Sequence, residues 1–274
     1  MKTTFTYFFR LIMAGFLATL LLPAVVMAAE KDDEPNPNFR YIDDFELGVS
    51  LWWTPDGSGS TIGIVLDGTY REHETTIVNP HTGSTGSMKL AYQWNNEVTF
   101  VGPGTHLIRQ HMPAGNANTP ERVFQPDQAI EAWVYGDGSG NLFRFMTREV
   151  PPSNQLEGSQ WFVIDWTGWR RITWDLSNDP VIGWVNGNGQ FEGGNIMFDS
   201  FMISWSGDAS SVSGTVYFDD LRIVDPFDVV FDVTAGGNPI NDAVVAINGT
   251  VYEPGEYAFS MFPGEFSYTV TKEG

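Results

Sequence analysis

From Tyr41 to Val224 the chain is a succession of short apolar runs separated by Gly, Asn, Pro and Ser: 61–66, 87–94, 129–135, 142–148, 161–165, 170–174, 196–205 and 215–224. No window carries an apolar stripe of helical period long enough to form a helix, whereas alternation of period two recurs. In 142–148, Phe143 and Phe145 fall on one side of an extended segment and Arg144, Met146 and Arg148 on the other. In 161–165, Trp161, Val163 and Asp165 share a side opposite Phe162 and Ile164. Regular short strands with turn signals between them predict an all-β sandwich or barrel.

A second unit is expected to begin near Phe227, after the joint Asp225-Pro226. Its clearest signal is Asn248-Gly249 between Val244, Ala246 and Val251, a hairpin turn in which both central residues take positive φ. The unit reads as a partial β-sandwich over 227–274, short of the ~100 residues of a complete sandwich domain. Truncation is therefore expected there.

The N-terminus breaks the pattern. Lys2 and Arg10 supply a positively charged start before the apolar stretch 11–26, and Val26-Met27-Ala28 places small residues at −3 and −1. This predicts a signal peptide over 1–28, cleaved after Ala28, rather than a membrane anchor, which needs a longer span of ~20 apolar residues. Residues 29–40, polar and with two prolines, read as a linker, and 41–226 as the main domain. No second apolar span follows, so no membrane span is expected once the leader is removed, and the protein is expected to be secreted or on the cell surface.

Composition narrows the chemistry. With 14 Lys+Arg against 34 Asp+Glu, the net charge is −20, which argues against nucleic acid as a partner. An acidic surface suits neutral glycans better than acidic ones unless local arginines reverse it. There are 0 cysteines, so thiolate–zinc sites, thiol catalysis and disulfide staples are excluded, and stability rests on the core or on a metal.

Four segments carry a resemblance: 43–48 (Asp43-Asp44-Phe45-Glu46-Leu47-Gly48), 132–141 (from Ala132-Trp133-Val134-Tyr135 to Asn141), 165–176 (from Asp165-Trp166-Thr167-Gly168-Trp169 to Leu176) and 216–223 (Val216-Tyr217-Phe218-Asp219-Asp220-Leu221-Arg222-Ile223). In this order the main domain resembles the jelly-roll carbohydrate-binding modules of the galactose-binding-like superfamily, families 11, 4 and 22 above all. The C-terminal unit, with 238–245 and 262–268, is similar to the Ig-like repeats of bacterial surface proteins. The resemblance implies a jelly-roll β-sandwich that binds a polysaccharide or oligosaccharide without catalysis, attached to further domains of the same chain. It also implies a structural Ca²⁺ where the first and last strands meet, held by Asp44, Glu46, Asp219 and Asp220, with backbone oxygens near Ser87 and Lys89 completing the 6–8 oxygens that calcium takes. Trp133 and Trp169 match positions that pack in the core.

The sugar site itself is read from the residues. A sugar offers apolar C–H faces and a rim of hydroxyls, so its site needs aromatic planes beside hydrogen-bonding groups. The open sheet face is expected to carry Arg144, Arg148, Trp161, Asp165 and Arg109, with Trp53 as a loop platform. Trp52 and Trp184 also sit in turn-rich sequence, with core and surface placements both open. Trp174 and Trp205 are assigned to the core.

No catalytic residues are expected: the E-x-D-x-E strand of jelly-roll glucanases and the R-[ST]-E-[LV]-R strand of alginate lyases are absent. His106 and His111 are five residues apart, on opposite sides of a strand, and do not form a metal pair. A structural or adhesive protein without a glycan ligand and a divergent polysaccharide-active enzyme remain as alternatives.

Overall fold

The computed structural model describes residues 6–13, 38–113, 123–149, 154–192, 196–263 and 266–272. Among these, single 3-10 turns at Pro55–Gly57 and Leu66–Gly68 are the helical elements and the rest of the regular structure is strand. The chain divides into two compact units: Phe39–Asp225, and a second that takes in Pro226 onward together with the strand Thr6–Met13.

The larger unit is a sandwich of two antiparallel sheets. One sheet runs Thr167–Asp175, Ala129–Asp137, Ser213–Val224, Ser87–Gln93, Tyr70–Glu74, with Phe39–Asp43 also on Ser213–Val224. The other runs Ile182–Gly183, Leu156–Gly158, Leu142–Glu149, Ile196–Ser204, Leu107–His111, with Phe162–Val163 and Val123–Phe124 as short additions. Successive strands pass repeatedly from one sheet to the other, the double-sheet arrangement of a jelly roll.

The alternation read in the sequence sets the faces. Met88, Leu90 and Tyr92, then Ile130, Ala132 and Val134, then Phe143 and Phe145 all enter the core. At its centre Phe201 stacks on Phe218 (4.2 Å, 8°) and on Trp52 (5.3 Å, 7°), with Phe143, Phe145 and Phe198 around it. Trp174 and Trp205 are buried as expected.

Three expectations need correction. Segment 61–66 forms two isolated bridges, Ile62 to Leu107 and Ile64 to Trp94, rather than a strand. Residues 39 and 40, assigned to the linker, open the strand Phe39–Asp43. Trp133 and Trp169 lie half-buried on the outside of the six-stranded sheet rather than in the core. Ile130, Ala132 and Val134 already occupy the inner side, so the period of two turns Trp133 outward, where it stacks on His81 (4.6 Å). Trp169, opposite Tyr135 in register, meets that ring edge-on at 5.6 Å.

In the smaller unit Phe227–Ala235 pairs with Ala258–Met261, with Asn238–Pro239 and, in parallel, with Thr6–Met13. Val244–Ile247 pairs with Thr250–Val251 and Tyr268–Thr271 in a second sheet. Val229, Phe231, Val245, Phe259 and Tyr268 form their shared core. Asn248 and Gly249 take positive φ, 49° and 85°, as the hairpin signal requires. Part of the expected leader, Thr6–Met13, is thus seen as a strand, while the expected cleavage site after Ala28 lies outside the described residues. No described helix is long and apolar enough to cross a membrane.

Candidate functional site

The outside of the sheet formed around Leu142–Glu149 and Ile196–Ser204 carries the site. Register places Met202 between Arg109 on one neighbouring strand and Arg144 on the other. Leu107, Met146, Leu156 and Met202 form an apolar floor here, with Trp161 and Trp184 packed against it. The Arg144 guanidinium lies over the Trp161 ring (4.2 Å) and that of Arg109 over Trp184 (5.7 Å). Each pair is a cation–π contact.

Beside this cluster, and sharing Leu107 with it, opens a cleft of about 420 Å³, lined by Arg144, Trp161, Trp184, Leu107, Ile62 and the glycine-rich segments at Gly59-Ser60 and Pro103-Gly104. This volume falls within the ~300–1,000 Å³ of small-ligand sites. Gly104 sits at φ +97°, which side-chain-bearing residues rarely adopt, and its N–H donates to Ser204 Oγ (3.0 Å), which fixes that wall. The described lining residues include no carboxylate.

Arg144 is 6 % exposed. Its described hydrogen bond is to the Met202 sulfur (3.4 Å), its Nε has no partner among the described residues, and burial pushes its pKa down to about 10, so it stays charged at neutral pH. Arg109 and Arg148 differ. Arg109 grips Asp199 with Nε (2.9 Å) and Nη2 (2.6 Å), and Arg148 reaches the same carboxylate with Nη2 at 3.1 Å. Ser200 Oγ donates to it at 2.8 Å, and His111 Nδ1 lies 3.6 Å away. Burial alone would raise the Asp199 pKa, but the His111 imidazole and the Arg109 guanidinium reverse that and hold it well below the usual carboxylate range.

Sequence reasoning missed Asp199. The carboxylate reaches the outer face because the strand bulges there: Phe198 pairs with Thr147 and Ser200 with Met146, leaving Asp199 as the extra residue. Phe198 and Phe201 are both in the core, three apart, which breaks the period of two. The available signal was a lone Asp inside the apolar run 196–203, with two phenylalanines at that spacing.

The other expected residues are spread along or beyond this face. Trp53, 43 % exposed, stands edge-on to His111 (4.9 Å), and its carbonyl accepts from Gln110 Nε2 (2.7 Å) and Arg71 Nε (2.9 Å), next to the Asp199 cluster rather than in the cleft. Asp165 is exposed after the short strand Phe162–Val163 and is not among the residues lining the cleft. Trp52, its neighbour's opposite, is buried, and its Nε1 donates to Asp43 Oδ2 (2.7 Å). Trp184, left open by the sequence, lines the cleft.

The four expected calcium carboxylates do not gather into one shell: no group of three or more His, Asp or Glu side chains among the described residues is placed to hold a metal by itself. Asp44 turns back on its own loop, accepting from the Glu46 N–H (3.2 Å). The other three converge on the loop 79–86. Ser84 Oγ donates to Glu46 Oε1 (2.8 Å), the Asn79 N–H donates to Asp219 Oδ2 (3.2 Å), and Asn79 Nδ2 and Thr82 Oγ1 donate to Asp220 (3.0 and 2.5 Å). Asp219 is fully buried; burial and the adjacent Asp220 push its pKa up to about 8.

Solved structures similar to the chain include a family 11 carbohydrate-binding module from Clostridium thermocellum in complex with a β-1,3-1,4-mixed-linked tetrasaccharide, at 16 % identity over 69 % of this chain and 96 % of that one, TM-score 0.37. A family 61 module in complex with β-1,4-galactotriose matches at 12 % identity over 68 % and 98 %, TM-score 0.33. A putative sugar-binding protein from Bacteroides thetaiotaomicron matches at 9 % identity over 64 % and 87 %, TM-score 0.34. No protein-family model and no curated protein matches the chain.

Proposed function

We propose that the larger unit is a non-catalytic carbohydrate-binding module of an exported protein, and that it binds a polysaccharide chain in the cleft lined by Leu107, Arg144, Trp161 and Trp184. The observation that carries this reading is the pair of half-buried indoles, Trp161 and Trp184, each held over a guanidinium beside an open apolar cleft. Aromatic faces suit the C–H side of a sugar ring, and guanidinium and backbone groups at the rim suit its hydroxyls. The smaller unit fits the Ig-like reading in having two small sheets around one core.

Affinity electrophoresis of the chain through gels containing plant, algal and bacterial polysaccharides tests this. Retardation by one glycan class is expected, with Trp161→Ala weakening it by about 30-fold or more. Free migration through every gel would overturn the reading in favour of a structural or adhesive role.

The same module is proposed to hold a structural Ca²⁺ between Glu46 and Asp219, with Asp220 beside them. What supports it is that two buried neighbouring carboxylates, Asp219 and Asp220, lack a described cationic partner, and that Glu46 reaches the same loop 79–86 through Ser84 and the Thr85 N–H. The ion would tie the loop 79–86 and the segment around Glu46 to the strand Ser213–Val224. Calcium at a hundred times its Kd is expected to add about 2.7 kcal/mol of stability, read as a rise in the melting midpoint that EDTA reverses. Asp219→Ala should abolish the response; a midpoint indifferent to calcium in the parent chain would remove the ion from the account.

A further inference from the structure

Resting on the glycan reading, we infer that the cleft selects an anionic sugar, one whose ring bears a carboxylate or a sulfate ester, and that Arg144 receives its oxyanion. The chain as a whole is acidic, with a net charge of −20, so composition points the other way and the inference comes from the placement of charge. Three guanidiniums stand on this face, and two of them, Arg109 and Arg148, share Asp199. Arg144 has no described carboxylate partner. It is 6 % exposed, lines the cleft, and makes its described hydrogen bond to a thioether, a weak acceptor.

A guanidinium so placed has lost most of its water without gaining an anion. The Trp161 ring beneath it offsets part of that cost through its negative π face. The other part is offset when an oxyanion enters the cleft, where low local dielectric makes the charged hydrogen bond strong. A neutral sugar hydroxyl would leave the charge uncompensated. Leu107, Ile62 and the Trp184 ring, which line the cleft together with Arg144, then fit the uncharged face of the same sugar, so one residue of the ligand must combine an anionic substituent with an apolar ring face. Uronic acids and sulfated sugars both do; a small inorganic anion does not.

The test compares matched polymers on the parent chain: polygalacturonate against its fully methyl-esterified form, and a sulfated galactan against its desulfated form. Tighter binding to either charged member, by about 10- to 100-fold and weakening as NaCl is added, is the expected result. The two arms separate carboxylate from sulfate. Equal binding to charged and neutral members would overturn the anionic preference while leaving glycan binding intact. Binding to neither pair nor to any other glycan would overturn both. Arg144→Gln should remove the preference for the charged member and Arg144→Lys should retain part of it; the polymer comparison stands even where a variant does not fold.

Discussion

Asp199→Asn is expected to destabilise the larger unit by about 3–5 kcal/mol, the cost of breaking a buried charge pair from one side. Asparagine preserves the shape of the side chain but leaves Arg109, whose side chain is 10 % exposed, with a buried charge and no counterion. It also releases Arg148, where the effect is smaller because a quarter of that side chain reaches solvent. The bulge at Phe198/Ser200 presents this carboxylate to both arginines, so its loss is also expected to loosen the register of Ile196–Ser204 against Leu142–Glu149. All 10 tryptophans lie in the larger unit, so indole fluorescence during urea unfolding reports on that unit alone. A loss below ~1 kcal/mol would mean that water replaces the carboxylate and that the cluster is a surface network.

The same carboxylate sets an acid limit. Its folded-state pKa is depressed, so its contribution is fully present above the unfolded value near ~3.9 and disappears as pH falls from there through the folded value. The parent chain should therefore lose stability steeply on acidification below about pH 4, and Asp199→Asn should flatten that slope. Parallel slopes in parent and variant would assign the acid sensitivity to other carboxylates.

Phe201→Ala is the second large effect expected, about 3–5 kcal/mol for a fully buried phenylalanine. The ring is 0 % exposed and lies between Phe218 and Trp52 in parallel stacks, with Phe143, Phe145 and Phe198 closing the remaining sides. Six aromatic groups from both sheets and the loop at Trp52 meet there, so collapse into the cavity needs several stiff rings to move together, which keeps the cost high. Since Met202 and Asp199 share its strand, glycan affinity should fall along with the unfolding midpoint. A cost under ~2 kcal/mol would show that neighbouring rings refill the space.

Much of this was legible beforehand. Alternation placed Phe143 and Phe145 inward and Arg144 and Arg148 outward, and that is how Leu142–Glu149 sits. The order of the strands in the chain could likewise be read, because turn residues and period-two patterns are local properties. The outward placement of Trp133 was equally available from its own alternation with Ile130, Ala132 and Val134; the resemblance pointed inward and was the poorer guide.

The sequence by itself determined that this is an acidic, cysteine-free, all-β chain with arginines and aromatics on one open strand face, because side-chain direction along a strand follows from the backbone alone. Only the tertiary structure decided how those arginines differ. Asp199 reaches Arg109 and Arg148 through a bulge that depends on pairing with a neighbouring strand, and Trp184 comes to the cleft from a turn 40 residues along the chain from Arg144. Which charge is paired and which is left open depends on strand neighbours and loop closure. Both are set by packing across the whole sandwich, at sequence separations that no local pattern encodes.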